Sequence, residues 1–144
     1  MKKKLKIVLY ALLVLFIVIQ FYPDGIPREN PPVETVIEWP DMQAKDLFYA
    51  ACADCHSHET KWPWYSYVAP VKWAVKNHVV DGRRHFNISV QGYGKDPHEA
   101  GEVIREDFMP MEQYVWLHSE AKLTPEQKEL LAGTLEKMFG KEEH

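Results

Sequence analysis

The chain has 144 residues, 46% of them apolar and 26% charged, with ten prolines, seven glycines and two cysteines. That is the length of one ordinary domain, which argues against a multidomain enzyme, and the fractions exclude collagenous, low-complexity and disordered chains. Two cysteines cannot staple a disulfide-rich scaffold. The formal charge of −4 hides an asymmetry, because Lys2, Lys3, Lys4 and Lys6 precede the first acidic residue, Asp24, and leave 13 basic against 21 acidic residues in the remainder. A part that acidic lacks the clustered cations that phosphate contacts need, so nucleic acid is not an expected partner.

Residues 5–22 read LKIVLYALLVLFIVIQFY, with Lys6 and Gln20 the clearly polar positions. The run meets the minimum length of a spanning helix, about 17–25 apolar residues. It exits through Phe21, Tyr22 and Pro23 with no small-residue cleavage pattern, and two aromatics there suit a membrane interface. An uncleaved N-terminal anchor over residues 1–22 is therefore expected in preference to a cleaved signal peptide. The leading lysines orient it with residues 23–144 on the outer, periplasmic face of a bacterial inner membrane. Residues 23–41 hold five prolines and read as a semi-rigid tether reaching up to roughly 59 Å at about 3.1 Å per residue. No internal repeat is visible.

Residues 42–144 read as an all-α domain. Asp41 caps a helix through Cys55, with Leu47, Phe48, Ala51 and Cys55 at helical spacing. Residues 60–70 are aromatic and broken by prolines. Pro70 opens a second helix that Gly82 closes, its apolar face being Val71, Ala74, Val75, His78 and Val79. Residues 83–97 read as loop, and a short helix near 99–106 precedes Met109-Pro110-Met111. Thr124, Pro125 and Gln127 then form a capping box for a last helix, with Leu130, Leu131, Thr134, Leu135 and Met138 on one face and Gly140 at its end. No alternating strand pattern competes.

The chemistry concentrates at Cys52-Ala53-Asp54-Cys55-His56, the C-x-x-C-H signature of covalent haem attachment. Two thiols three positions apart lie on one side of a helical turn and can add to the two vinyl groups on one haem edge. His56 then supplies an axial imidazole. Export agrees with this, because such attachment takes place outside the cytoplasmic membrane. Three rivals share some of these residues. A redox-active dithiol is expected beside a βαβ pattern, which is absent. A disulfide across so short a loop would stabilise little. Zinc on Cys52, Cys55, His56 and His58 would crowd four ligands into seven residues.

With Cys52 just before it, the run DCHSHETKWPWYSYVAP at 54–70 resembles the small membrane-anchored haem-binding domain proteins of bacteria, a c-type cytochrome-like family. The likeness continues through GRRHFNIS at 82–89, the 102–110 region ending in Met-Pro, and YVWLHSEAKLTPEQKELL at 114–131, covering about residues 40–140. It implies an exported haem domain, often anchored, with ill-defined partners. Met111 departs from the pattern, in which a second proline would follow Met-Pro.

Iron held by one histidine needs something on its other face. Met109 is the first choice, since proline stiffens its loop and Met/His ligation suits electron transfer. Met111 and His118 are the alternatives, and core packing is the competing role for each methionine. His78 reads as a buried residue of an apolar helix face, and His58, His85, His98 and His144 as solvated or loop residues. Trp62, Trp64, Tyr65, Tyr67 and Trp73 read as walls of the haem pocket, and Arg83 and Arg84 as candidates for the propionates. The expected protein is a small cytochrome c-like, single-haem electron carrier with one covalent haem c. It is not expected to be an enzyme. Its redox partners would carry basic docking patches, within a respiratory membrane complex or outside one. The alternative is a haem enzyme or sensor with an open sixth position, for peroxide or a diatomic gas.

Overall fold

A computed structural model describes residues 2–23, 25 and 28–140, so Asp24, Pro27 and His144 lie outside the described residues. Helices are α1 (Lys2–Gln20), α2 (Met42–Ala51), α3 (Ala53–His56), α4 (Val71–His85), α5 (Glu102–Arg105), α6 (Glu112–Leu117) and α7 (Pro125–Phe139). Single 3₁₀ turns lie at Trp64–Tyr67, Pro97–Glu99 and Ser119–Ala121, and the described residues contain no strand. The chain divides into two compact units, one of residues 1–29 with 62–78, the other of residues 30–61 with 79–144.

The first unit is built on the C-terminal end of α1. Gln20 grips the backbone of Ala69 twice, Oε1 accepting from its N–H at 2.8 Å and Nε2 donating to its carbonyl at 3.3 Å. Lys72 is buried and donates Nζ to the carbonyls of Gln20 and Tyr22 at 2.9 and 2.8 Å. A cation at that position satisfies carbonyls that the end of a helix leaves unpaired, and it complements the helix dipole. Arg28 donates Nε to Ser66 O at 2.9 Å and lies 5.0 Å over the ring of Tyr67.

No helix among the described residues is long and apolar enough to cross a membrane, which corrects the expected spanning helix. α1 is helical throughout, but Lys2, Lys3, Lys4 and Lys6 occupy its beginning. The part from Ile7 to Gln20 is about 21 Å long at 1.5 Å per residue, against a hydrocarbon layer of about 30 Å.

The second unit holds the core. α2, α5 and α7 pack together with the Ser119–Ala121 turn, burying Ala44, Phe48, Ile104, Ala121, Leu131, Ala132 and Leu135 almost completely. Each large side chain among these contributes about 1.5–3 kcal/mol by leaving water. Rings extend the core from Trp39 to Phe48 (5.3 Å between centroids), Phe86 (6.0 Å) and Phe139 (5.1 Å) in succession. The caps are those that local chemistry demands. Asp41 accepts from Ala44 N at 2.8 Å, and Thr124 with Gln127 forms the full capping box before Pro125.

Three readings change. The tether is no tether from Asn30 onward, because Ile37 and Trp39 pack against the core and the backbone N–H groups of Glu34 and Thr35 donate to Ser89 O. Gly82 does not end α4, which runs on to His85. A Cβ at Gly82 would stand 2.6 Å from Cys55 O and 3.0 Å from Cys55 Cβ, so glycine is there for close approach to the C-x-x-C-H turn. His78 is exposed on α4 instead of buried.

Candidate functional site

Cys52 sits where α2 breaks. Its backbone leaves helical values (φ −129°, ψ −37°), its N–H still donates to Phe48 O at 2.8 Å, and its carbonyl accepts from Cys55 N and His56 N at 3.1 and 3.0 Å. The motif is thus one tight turn hung on the end of α2, continuing as α3. The two thiols therefore come from this turn and not from a single uninterrupted helix.

His56 Nδ1 lies 2.9 Å from Phe86 O. A carbonyl can only accept, so Nδ1 carries the hydrogen and Nε2 keeps its lone pair, the arrangement that orients a metal-ligating imidazole. Burial lowers the proton affinity of this ring below the usual histidine value, against a raising effect from the Phe86 and Gly82 carbonyls. The imidazole is therefore neutral, as a ligand must be. The main chain fixes the same residue, Ile88 N donating to His56 O at 3.0 Å.

Burial pushes the Cys52 thiol up to about 12, with Cys55 adding to the effect. Cys55 rises to about 11 through burial and the charge of Asp54, with Arg83 opposing. Redox-active dithiols work by the opposite shift, so this pair is not tuned as one. The zinc reading fares no better. Among the described residues no group of three or more His, Cys, Asp or Glu is placed to hold a metal ion. His58 is buried, not solvated: Nδ1 donates to Pro32 O at 2.7 Å and Nε2 accepts from Asn87 Nδ2 at 3.0 Å, leaving no lone pair for a metal.

Asp54, inside the motif, is a hub that the motif pattern does not reveal. Its Oδ1 accepts from Lys61 N, its Oδ2 from Tyr114 Oη and its main-chain O from Thr60 Oγ1, at 2.8, 2.8 and 2.7 Å. Tyr114 brings α6 to the motif and stacks on His118 with centroids 4.0 Å apart. His118 Nδ1 lies 3.1 Å from Tyr114 O. Met109, half-buried, packs against the same hydrophobic cluster as Cys52 and Tyr114, and its N–H donates to Val103 O at 2.9 Å. Met111 caps α6, its carbonyl accepting from Tyr114 N and Val115 N at 3.0 and 3.1 Å.

The remaining candidates make other contacts. Arg83 donates to Ser57 O, Thr60 Oγ1 and Asn30 Oδ1 at 2.9, 2.9 and 3.1 Å, bracing the segment that follows the motif. Exposed Arg84 pairs with Asp81 at 3.1 Å, and exposed His85 pairs with Asp96 at 2.8 Å. Trp62, Trp64, Tyr65, Tyr67 and Trp73 belong to the first unit, whereas Cys52, Cys55 and His56 belong to the second. Phe48, Phe86, Tyr114 and Phe139 are among the aromatics that share the motif's unit, and Phe86 is the ring beside His56, at 5.7 Å. Of these, only Phe48 stood out in the sequence as an apolar helix-face position. No local signal marks Phe86, because the helix that ends just before it runs on past Gly82 to His85.

The motif thus brings two thiols into one turn beside a neutral imidazole whose Nε2 keeps its lone pair. A family model of haem-binding domains matches residues 14–137, and the chain belongs to that family. No curated relative and no solved structure matches the chain.

Proposed function

We propose that this haem-binding protein is a mono-haem c-type cytochrome that passes single electrons on the periplasmic face of a bacterial inner membrane. The observation that carries the reading is His56, its Nδ1 pinned to Phe86 O, directly following two thiols three residues apart. Cys52 and Cys55 would hold haem through thioethers, and His56 would supply the axial nitrogen. Bound haem supplies an iron centre that alternates between ferrous and ferric states. The chain's own residues set its surroundings. The Phe86 carbonyl polarises the imidazole, the core around Phe48 and Phe86 keeps water away, and Asp54 locks the attachment turn.

Met109 supplies the sixth ligand in this reading, coming from a segment that packs on the same cluster as Cys52. Met111 and His118 are the other side chains offered by that region. The packing of Met109 also supports a second reading, in which it stays in the core and the iron remains open to a small ligand, as in a sensor or peroxide enzyme. An optical spectrum of the oxidised and reduced holoprotein separates the two. A low-spin spectrum whose weak ferric red band vanishes in Met109→Ala supports the carrier. A high-spin spectrum that shifts with cyanide supports the open site.

Residues 5–22 attach the chain to the membrane in this account. The large apolar side chains of α1 from Leu5 to Val18 are 44–68% exposed, a surface that water does not tolerate at such length. The leading lysines suit the anionic headgroups of such a surface. Resistance to an alkaline carbonate wash tests this, and release of the full chain into the wash would overturn it.

A further inference from the structure

We propose that the aromatic segment 62–78 is a lipid-binding platform lying in the headgroup layer, its partner an anionic bilayer surface. The inference rests on the membrane attachment proposed above and adds a surface that no motif marks. The segment shares a compact unit with α1, held by the Gln20–Ala69 pair of hydrogen bonds and by Lys72 on the carbonyls of Gln20 and Tyr22. A helix that attaches to the bilayer through its exposed apolar side chains carries what is fixed to its end to the headgroup layer.

What is fixed there suits that layer. Phe21, Tyr22, Trp64 and Tyr67 are 82%, 66%, 78% and 55% exposed, and Trp64 and Tyr67 stand three apart in a 3₁₀ turn, hence on one face. Large aromatics so exposed are costly in water and at home among headgroups. Charge agrees: residues 62–78 contain Lys72 and Lys76 and no acidic residue, and Arg28 lies over Tyr67 of the same segment. The other unit sets ten basic against nineteen acidic residues and is the part that an anionic surface would repel. An apolar pocket of about 600 Å³ between Val18, Ile19, Phe21, Tyr22, Pro23 and Trp73 gives an acyl chain a place beside the helix.

The test uses the full holoprotein in vesicles of phosphatidylcholine with or without phosphatidylglycerol, the acyl chains brominated near the headgroup. The expected result is strong quenching of tryptophan emission that increases with phosphatidylglycerol, with loss of a distinct share of that quenching in Trp64→Phe. Trp64 is exposed, so the variant keeps its fold. Equal quenching in wild type and Trp64→Phe, with the chain still sedimenting with the vesicles, overturns the platform alone and leaves the surface to a protein partner. Failure of the chain to sediment with vesicles at all overturns the attachment on which the proposal rests.

Discussion

Replacing Gly82 with alanine isolates the contact that presses α4 against the C-x-x-C-H turn. A Cβ there would meet Cys55 O at 2.6 Å, Cys55 Cβ at 3.0 Å and Cys55 C at 3.2 Å. An ordinary contact is about 3.4 Å or more, so the turn must retreat by nearly 1 Å, and the obstacle is main chain that cannot rotate away. Forcing extra volume into such a site costs about 1–3 kcal/mol. Against this, glycine to alanine within a helix gains up to about 1 kcal/mol. Gly133 supplies the control, because it lies within α7 and its nearest neighbour to a new Cβ is Arg105 Nη2 at 3.9 Å. The propensity gain is common to both substitutions, so the difference between the variants reads the clash, about 1–3 kcal/mol. Urea unfolding of the holoprotein followed by far-ultraviolet circular dichroism should show Gly133→Ala more stable than wild type. Gly82→Ala should be less stable and carry less haem. Equal stabilisation of both variants would refute the close approach and the role assigned to Gly82.

Other outcomes follow from single contacts. Tyr114→Phe deletes the hydroxyl that donates to Asp54 Oδ2 and should cost about 1.5–3 kcal/mol, read as a lower urea midpoint. Phe48→Ala empties a site with no solvent exposure between Trp39 and Phe86 and should cost about 3–5 kcal/mol, enough to lower the melting temperature steeply. Thr124→Ala removes the cap of α7 at about 1 kcal/mol, and Thr124→Ser should restore most of it in the same unfolding assay. Burial, then the hydrogen bond to Glu59, raises the Tyr49 phenol from 10.0 to about 12. Its raised value contributes stability present below pH 10 and lost as pH rises from 10 towards 12, because the unfolded phenol ionises first. The alkaline fall in urea midpoint between pH 9 and pH 11 should therefore be smaller in Tyr49→Phe.

The elements legible in the sequence are those whose signals are local. Thr124, Pro125 and Gln127 specify the start of α7 by bonds spanning three residues, and Asp41 does the same for α2. Cys52, Cys55 and His56 are legible because the C-x-x-C-H spacing falls within one turn. What escaped depends on residues far apart in the chain. Gly82 looks like a helix stop until Cys55, 27 positions earlier, is packed on it. His58 looks solvated until Pro32 and Asn87 take its two nitrogens. The aromatic run 62–73 has the composition of a cofactor pocket, but composition does not say which unit it joins, and Gln20 and Lys72 tie it to the first helix. The proline-rich stretch was legible as extended chain, while its docking through Ile37, Trp39 and the Ser89 carbonyl depends on partners that local sequence does not name.

The central claim is that Cys52 and Cys55 carry one haem covalently with His56 as its axial ligand. The most direct measurement is the intact mass and absorbance of the full chain after denaturation, following expression with the haem-attachment machinery. The account predicts one haem retained per chain in wild type and a bare chain in the Cys52→Ala/Cys55→Ala double variant. A wild-type chain that emerges from denaturation without haem would contradict it.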